Sequence, residues 1–352
     1  MHMADALISP AVGGAMWAAT AGVAAYSVKK IQDDMDEKKI PLMGVMGAFV
    51  FAAQMINFSI PGTGSSGHLG GGMLLAILLG PYAGFLTMAS ILLIQALFFA
   101  DGGLLAYGCN VFNLGFYTCF IAYPLIYKWL TRKGLTSGRI FGASMASALI
   151  GLQMGAFSVV LETVLSGKTE LPFSTFVLLM QPIHLAIGVV EGLVTTAIVT
   201  FVWKARPEII ENAGVGEASG SFSMKKVVTV LAIATVLIGG GLSWFASANP
   251  DGLEWSMFKT AGTTELEASD GIHGILSDIQ SRTAFLPDYS FKSSESKENE
   301  GGAAEEAGGA WPAVDAGTSV SGLVGGALTL ALAASAGLVI SMVKRRKKRT
   351  AV

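Results

Sequence analysis

The sequence predicts an all-α integral membrane protein, a seven-segment helical bundle followed by a two-helix transmembrane hairpin. Three observations carry that expectation. Of 352 residues, 52% are hydrophobic and only 14% charged, against about 25% charged in a soluble domain. Nine apolar runs recur along the chain, most of them long enough for a hydrocarbon layer of about 30 Å. Between them, clusters of Lys and Arg alternate with loops nearly free of positive charge, the pattern that membrane insertion imposes.

The first run, Ile8 to Val28, lacks the basic n-region and small-residue cleavage site of a secretory leader and is expected to remain as a helix. Ala11, Ala15 and Ala19, with Ala21 and Ala25, give it a small-residue stripe. Such a stripe lets helix backbones approach closely, in a partner protein or in another helix of the same bundle. Ile40 to Phe58 forms the second segment. Leu69 to Leu79 is too short to span alone, and Gly80-Pro81 breaks it from Tyr82 to Ala100. A break at membrane depth is tolerated where protein buries it or a cavity needs it, so a re-entrant or tightly turned pair is expected. Asn110 to Trp129, Ile140 to Leu165 and Phe173 to Trp203 complete a first domain, residues 1–205. A cytoplasmic linker, 206–224, polar from Glu208 to Ser223, leads to a second domain, 225–352. That domain pairs Val227 to Ala248 with Val320 to Val343 around an acidic outer loop. Within the loop, Lys292 to Gly309 is too poor in apolar residues to order alone.

The basic clusters set the orientation. Lys29, Lys30, Lys38 and Lys39, then Lys128, Arg132, Lys133 and Arg139, then Lys204, Arg206, Lys225 and Lys226, and finally Lys344 to Arg349 fall on one side if the N-terminus is outside. The loops Ser59 to Gly67, Asp101 to Gly108 and Ser166 to Pro172 then share the outer side with Met1-His2. The expected topology is a multi-pass protein of a prokaryotic plasma membrane, N-terminus out and C-terminus in the cytoplasm.

Several chemistries are excluded. Cys109 and Cys119 lie in an apolar stretch and suit neither a disulfide framework nor a thiolate cluster. Gly62-Thr63-Gly64-Ser65-Ser66-Gly67 matches GxGxxG but follows no strand and opens no βαβ unit, so no dinucleotide is expected. Its glycines instead permit a tight loop whose backbone approaches a neighbour. Gly167-Lys168-Thr169 has the tail of a P-loop, yet Glu162 stands where its first glycine belongs, and HExxH is absent. The chain is not expected to be an enzyme, and no cofactor is implied.

A metal site is another matter. The α-amine of Met1, the amide nitrogen of His2 and its imidazole Nδ1 can close fused five- and six-membered chelate rings, three nitrogens in one plane. One more nitrogen completes a square, a geometry suited to Ni(II) and Cu(II). His68, directly after the glycine-rich loop, is the candidate fourth donor. Asp101 and Asn110 occupy another outer turn, where they can hydrogen-bond a ligating imidazole or merely shape the turn. His184 and Glu191, seven residues apart on one helix face, are ionisable groups at membrane depth, as is Glu162; each reads equally as a packing residue. Pro250-Asp251-Gly252-Leu253-Glu254-Trp255 reads as a turn with an interfacial Trp. The acidic loop beyond it concentrates cations through its field or is simply solvated.

With Met1-His2, Ser65 to Gly71, Asp101-Gly102-Gly103 and His184 to Gly192 assembled, residues 1–205 resemble the CbiM/NikM family, the substrate-binding components of cobalt/nickel energy-coupling-factor (ECF) transporters. The remainder, with its Pro-Asp-Gly-Leu-Glu motif, resembles the NikN-type accessory component fused behind it. The resemblance implies Met1, His2 and His68 as metal ligands for transported Ni2+ or Co2+. It implies as partners a transmembrane coupling subunit of the CbiQ/NikQ type and ATPase subunits of the CbiO/NikO type, which agrees with the missing P-loop. The alternative is a stand-alone secondary divalent-metal permease, which needs acidic residues along an inward path; only Glu162 and Glu191 are obvious.

Overall fold

The computed structural model describes residues 2–34, 40–167, 172–211, 224–263, 271–292 and 312–350. Each of the nine apolar runs forms a helix, because a lipid-facing backbone must satisfy its own N–H and C=O groups. In chain order these are α1 (Pro10–Asp34), α2 (Ile40–Gln54), α3 (Gly72–Leu79), α4 (Pro81–Phe99), α5 (Tyr107–Thr131), α6 (Ser137–Ser166), α7 (Phe173–Ala205), α8 (Met224–Gly240) and, last, α11 (Ala316–Thr350). Six of them are long and apolar enough to cross a membrane. The other three are shorter, with 8 residues in α3, 15 in α2 and 17 in α8; the short α3 is the segment expected not to span alone.

Position in the bundle follows from side-chain size and polarity. α2 is its axis: every residue from Leu42 to Met55 is buried, with α4, α8 and α11 against it. α1 is its edge, and Ala11, Ala15, Ala19, Ala21 and Ala25 are all exposed, so no described residue of this chain covers the alanine stripe. α3 and α4 form the tightly turned pair that Gly80-Pro81 implies. Gly80 takes φ +86, and a Cβ on Gly84 would lie 3.0 Å from the Ala76 nitrogen, so the two helix backbones touch.

The C-terminal hairpin is not a satellite of the first seven segments. α11 lies along α2 and α8 packs on both. α8 and α11 cross at Gly239 and Gly322, where a Cβ on Gly322 would come within 2.3 Å of the Gly239 carbonyl oxygen. Small residues at such a crossing let van der Waals contact replace the missing hydrophobic drive.

Two features differ from the sequence expectation, and both lie at the end of the bundle that carries His2. The GxGxxG loop closes a short hairpin of β1 (Phe58–Ile60) and β2 (Ser65–Gly67), antiparallel with Phe58 opposite Gly67. The stretch after α8 is more than a turn and a solvated loop. It forms α9 (Gly252–Ala261) and α10 (Ile272–Thr283). α9 starts on a capping box: Asp251 Oδ1 accepts from the Leu253 and Glu254 amides at 2.7 and 2.9 Å, and Glu254 Oε2 accepts from the Asp251 amide at 2.8 Å. Helix-cap chemistry was thus present in the Pro-Asp-Gly-Leu-Glu segment. Residues 293–309 of the loop expected to be unordered, and 212–223 of the linker, lie outside the described residues.

Candidate functional site

Met1 lies outside the described residues, so the site is built from His2 onward. The segment before α1 runs across the end of the bundle and is held by its main chain. The Met3 amide donates to Asn110 Oδ1 at 2.8 Å, and Asn110 Nδ2 donates back to the Met3 carbonyl at 3.1 Å. The Gly103 amide donates to that same carbonyl at 2.9 Å. Asp5 Oδ1 accepts from the Ala106 amide at 2.9 Å. Asn110, at the start of α5, thus clamps the residue next to His2 and does not touch an imidazole.

This clamp sets His2 against two loops. Its ring stacks on that of His68, with centroids 4.9 Å apart and planes 13° from parallel. Its Nδ1 lies 2.9 Å from Asp101 Oδ1. Its Nε2 is buried without a hydrogen-bond partner among the described residues. A bare buried ring nitrogen is costly unless it serves something. The turn that offers Asp101 needs Gly102 at φ +83, where a Cβ would sit 2.9 Å from Asn110 Nδ2. Burial would raise the Asp101 carboxyl, but the His2 ring hydrogen-bonded to it, with a hydrogen bond from Tyr289, outweighs burial and holds it at about 2. The Tyr289 hydroxyl donates to Asp101 Oδ2 at 2.5 Å.

The His68 side is fixed from beneath. Glu191, buried on α7, accepts from the Gly70 amide at 2.7 Å and from the Gly71 amide at 3.2 Å. Those amides lead into the N-terminus of α3, where a carboxylate is favoured. Gln54 Nε2 donates to the Gly70 carbonyl at 2.9 Å, and Gln95 Nε2 donates to Gln54 Oε1 at 2.8 Å. His68 Nδ1 lies 3.0 Å from the Leu69 carbonyl oxygen, so as the donor Nδ1–H it leaves Nε2 with its lone pair. Burial pushes the His68 imidazole down to about 3, with His2 adding to the effect. His68 is therefore a neutral base at physiological pH, as a metal ligand must be.

His184 Nδ1 is 2.8 Å from the Met180 carbonyl in its own helix, and its Nε2 has no partner among the described residues. It lines a water-sized void together with His68 and Asp251. His184 and Glu191 share the buried face of α7 yet serve different neighbours. Glu162 accepts from Asn113 Nδ2 at 2.7 Å, and that same nitrogen is 3.9 Å from Met3 Sδ.

Of the residues singled out in the sequence, the structure brings together His2, His68 and Asp101, and gives Asn110 and Glu191 the task of holding the segments that carry them. Gln54, Gln95, Tyr289, Gln280 and His273 were not singled out. They are neutral or isolated polar residues with no motif spacing; a buried Gln in an apolar helix such as α2 was the one available signal. No three His, Cys, Asp or Glu side chains among the described residues gather into a group able to hold an ion. Nor is the His2 ring poised as a chelate: Asp101 holds Nδ1, and stacked rings keep their lone pairs in separate planes. Nδ1 must leave Asp101, and one ring must turn, before both imidazoles address one ion.

Comparison with known proteins bears on this arrangement. Residues 2–209 match the family described as cobalt uptake substrate-specific transmembrane region, and residues 225–342 match the PDGLE domain. The chain is 30% identical over 335 residues to a putative fused nickel transport protein NikMN of Archaeoglobus fulgidus, covering 94% of this chain and 96% of that one. It is 33% identical to a probable fused nickel transport protein LarMN of Lactiplantibacillus plantarum, over 59% of this chain and 66% of that one. A crystal structure of a transition metal transporter superposes with a TM-score of 0.52 at 30% identity, over 58% of this chain and 93% of that one. With its stacked histidines at one end of a helical bundle and its PDGLE segment folded over them, the chain belongs to the cobalt uptake substrate-specific transmembrane family, as a fused membrane component of cobalt or nickel transport.

Proposed function

We propose that the protein is the substrate-capturing component of an ATP-driven ECF-type uptake system for Ni2+ or Co2+. It takes the ion from outside the cell into a square-planar nitrogen site made by the Met1 amine, the His2 amide and imidazole, and His68. The observation that carries this reading is the stacked contact of His2 with His68 at the end of the bundle. Two imidazoles in contact, one of them on residue two, are two of the four donors such a site needs.

On loading, His2 Nδ1 passes from Asp101 to the ion and its proton moves to Nε2. Once the ring has turned, Nε2–H can be returned to Asp101, as metal-bound histidines commonly do with a nearby carboxylate. The amide of His2 must also lose its proton, so capture releases protons and strengthens with pH. The exposed alanine stripe of α1 is the surface offered to a CbiQ/NikQ-type coupling subunit. CbiO/NikO-type ATPase subunits drive the reorientation that releases the ion into the cytoplasm. A self-sufficient permease would need acids free to line an inward path, whereas Glu191 is engaged by Gly70 and Gly71.

The test is Ni2+ and Co2+ titration of the purified protein beside a form carrying extra residues before Met1, and beside His68→Ala. Both changes are expected to weaken binding at least a hundredfold. Unchanged affinity in the extended form would remove the N-terminus from the site.

A further inference from the structure

The C-terminal part reaches the ion site through residues that the metal-ligand argument does not use. α10 lies over the two segments that meet at His2. His273 Nε2 is 2.8 Å from the Ile8 carbonyl oxygen, just beyond the His2 segment. Gln280 Nε2 donates at 2.8 Å to the Gly102 carbonyl, on the turn that carries Asp101, and at 2.9 Å to the Ala96 carbonyl in α4. The Leu286 amide donates to the Phe98 carbonyl at 3.3 Å. Tyr289 then stacks on Phe99, with centroids 5.0 Å apart and planes 19° from parallel, and its hydroxyl donates to Asp101 Oδ2. Asp101 Oδ1 is the atom that holds His2.

The backbone beneath Tyr289 is unusual. Asp288 and Tyr289 both take positive φ, +50 and +59. L-residues with side chains avoid that region, and two in succession persist only where the surroundings over-determine them. Here the determinants are the Phe99 stack and the Asp101 hydrogen bond. Burial and the neighbouring Asp101 charge also raise the Tyr289 phenol well above its ordinary value, so the hydroxyl keeps its proton and acts as the donor.

We propose that Tyr289 is a positioning residue of the ion site: its hydroxyl fixes the Asp101 carboxylate against His2, so the fused C-terminal part completes a site whose ion ligands all lie in the N-terminal part. This rests on the reading that His2 binds the ion. The carboxylate has two oxygens and two duties. Oδ2 stays on Tyr289, while Oδ1 is left to follow the imidazole from its unloaded to its loaded setting. Without the hydroxyl, Asp101 is free to rotate toward solvent, and His2 loses the partner that orients its ring. Outer hydrogen-bond partners of metal-bound histidine contribute about 10- to 100-fold to affinity.

The experiment is a double-mutant cycle of Tyr289→Phe and Asp101→Asn in the full chain, with two readouts. The first is the imidazole 15N spectrum of the metal-free protein, which has four histidines, with His2 assigned by His2→Gln. The second is Ni2+ affinity, with His68→Ala titrated alongside. Tyr289→Phe is expected to shift the His2 ring nitrogens toward a mixed tautomer and to weaken Ni2+ binding about tenfold. Added to Asp101→Asn, it is expected to change neither readout further. A Tyr289→Phe protein with wild-type His2 signals overturns the proposal, and so does one whose full effect persists in the Asp101→Asn background. Wild-type Ni2+ affinity in His68→Ala would instead remove the ion-site reading, and the metal-free His2 spectrum still judges the Asp101 contact.

Discussion

The two histidines are held by different sets of groups. His68 is fixed from below, where Glu191 accepts from Gly70 and Gly71, and Gln54 and Gln95 support the Gly70 carbonyl from α2 and α4. All of these groups are buried and all belong to the N-terminal part. His2 is fixed from above and from the side, by Asp101 and, through it, by Tyr289 and Gln280 of the C-terminal part. The contrast assigns separate tasks. On the proposed reading, the His68 half is preorganised by the bundle, while the His2 half is set by contacts that would be exchanged when an ion arrives.

If that division is right, the larger loss comes from breaking the rigid half. Glu191→Ala leaves the Gly70 and Gly71 amides buried with no acceptor, each a loss on the order of 1–3 kcal/mol. Ni2+ binding measured by calorimetry is expected to fall more than a hundredfold, with a lowered melting temperature in detergent. Retention of both within a few-fold would show that the His68 loop holds itself. Asp101→Asn acts on the exchangeable half. It keeps the shape of the turn but gives up the charge, and its expected cost is about tenfold in Ni2+ affinity with the melting temperature nearly unchanged. An Asp101→Asn loss equal to that of Glu191→Ala would erase the distinction.

The same division explains what the sequence disclosed. The helices were legible because apolar runs bounded by Gly, Pro and basic clusters have few other outcomes in lipid. His68 stood out because a glycine-rich loop ends on it, and His2 because position two has its own chelate chemistry. The Asp101 turn was visible, with an imidazole as one reading of its partner, but which imidazole and which ring nitrogen were not. Its carboxylate meets Nδ1 of His2, a pairing set by ring orientation that no spacing encodes. Gln54, Gln95 and Tyr289 act across long stretches of chain as neutral hydrogen-bonding groups, and neutral polar residues carry no periodicity. The segment around Asp251 reads as a turn because Pro250 and Gly252 suggest one, although Asp251 and Glu254 are spaced to cap a helix. Its fit to the site depends on Ser66, whose amide donates to the Pro250 carbonyl at 2.7 Å, a pairing between segments far apart in sequence.

The central claim is that the ion sits among four nitrogens in one plane, two of them from the main chain. Its most direct test is the magnetic state of the Ni2+-loaded protein, because a square-planar d8 ion in a nitrogen field pairs its electrons and an octahedral one does not. The account predicts a diamagnetic complex, with sharp, unbroadened imidazole signals for His2 and His68 in the loaded protein. A paramagnetic Ni2+ centre, with those signals broadened away, would contradict it and point to water or carboxylate oxygens in the coordination sphere.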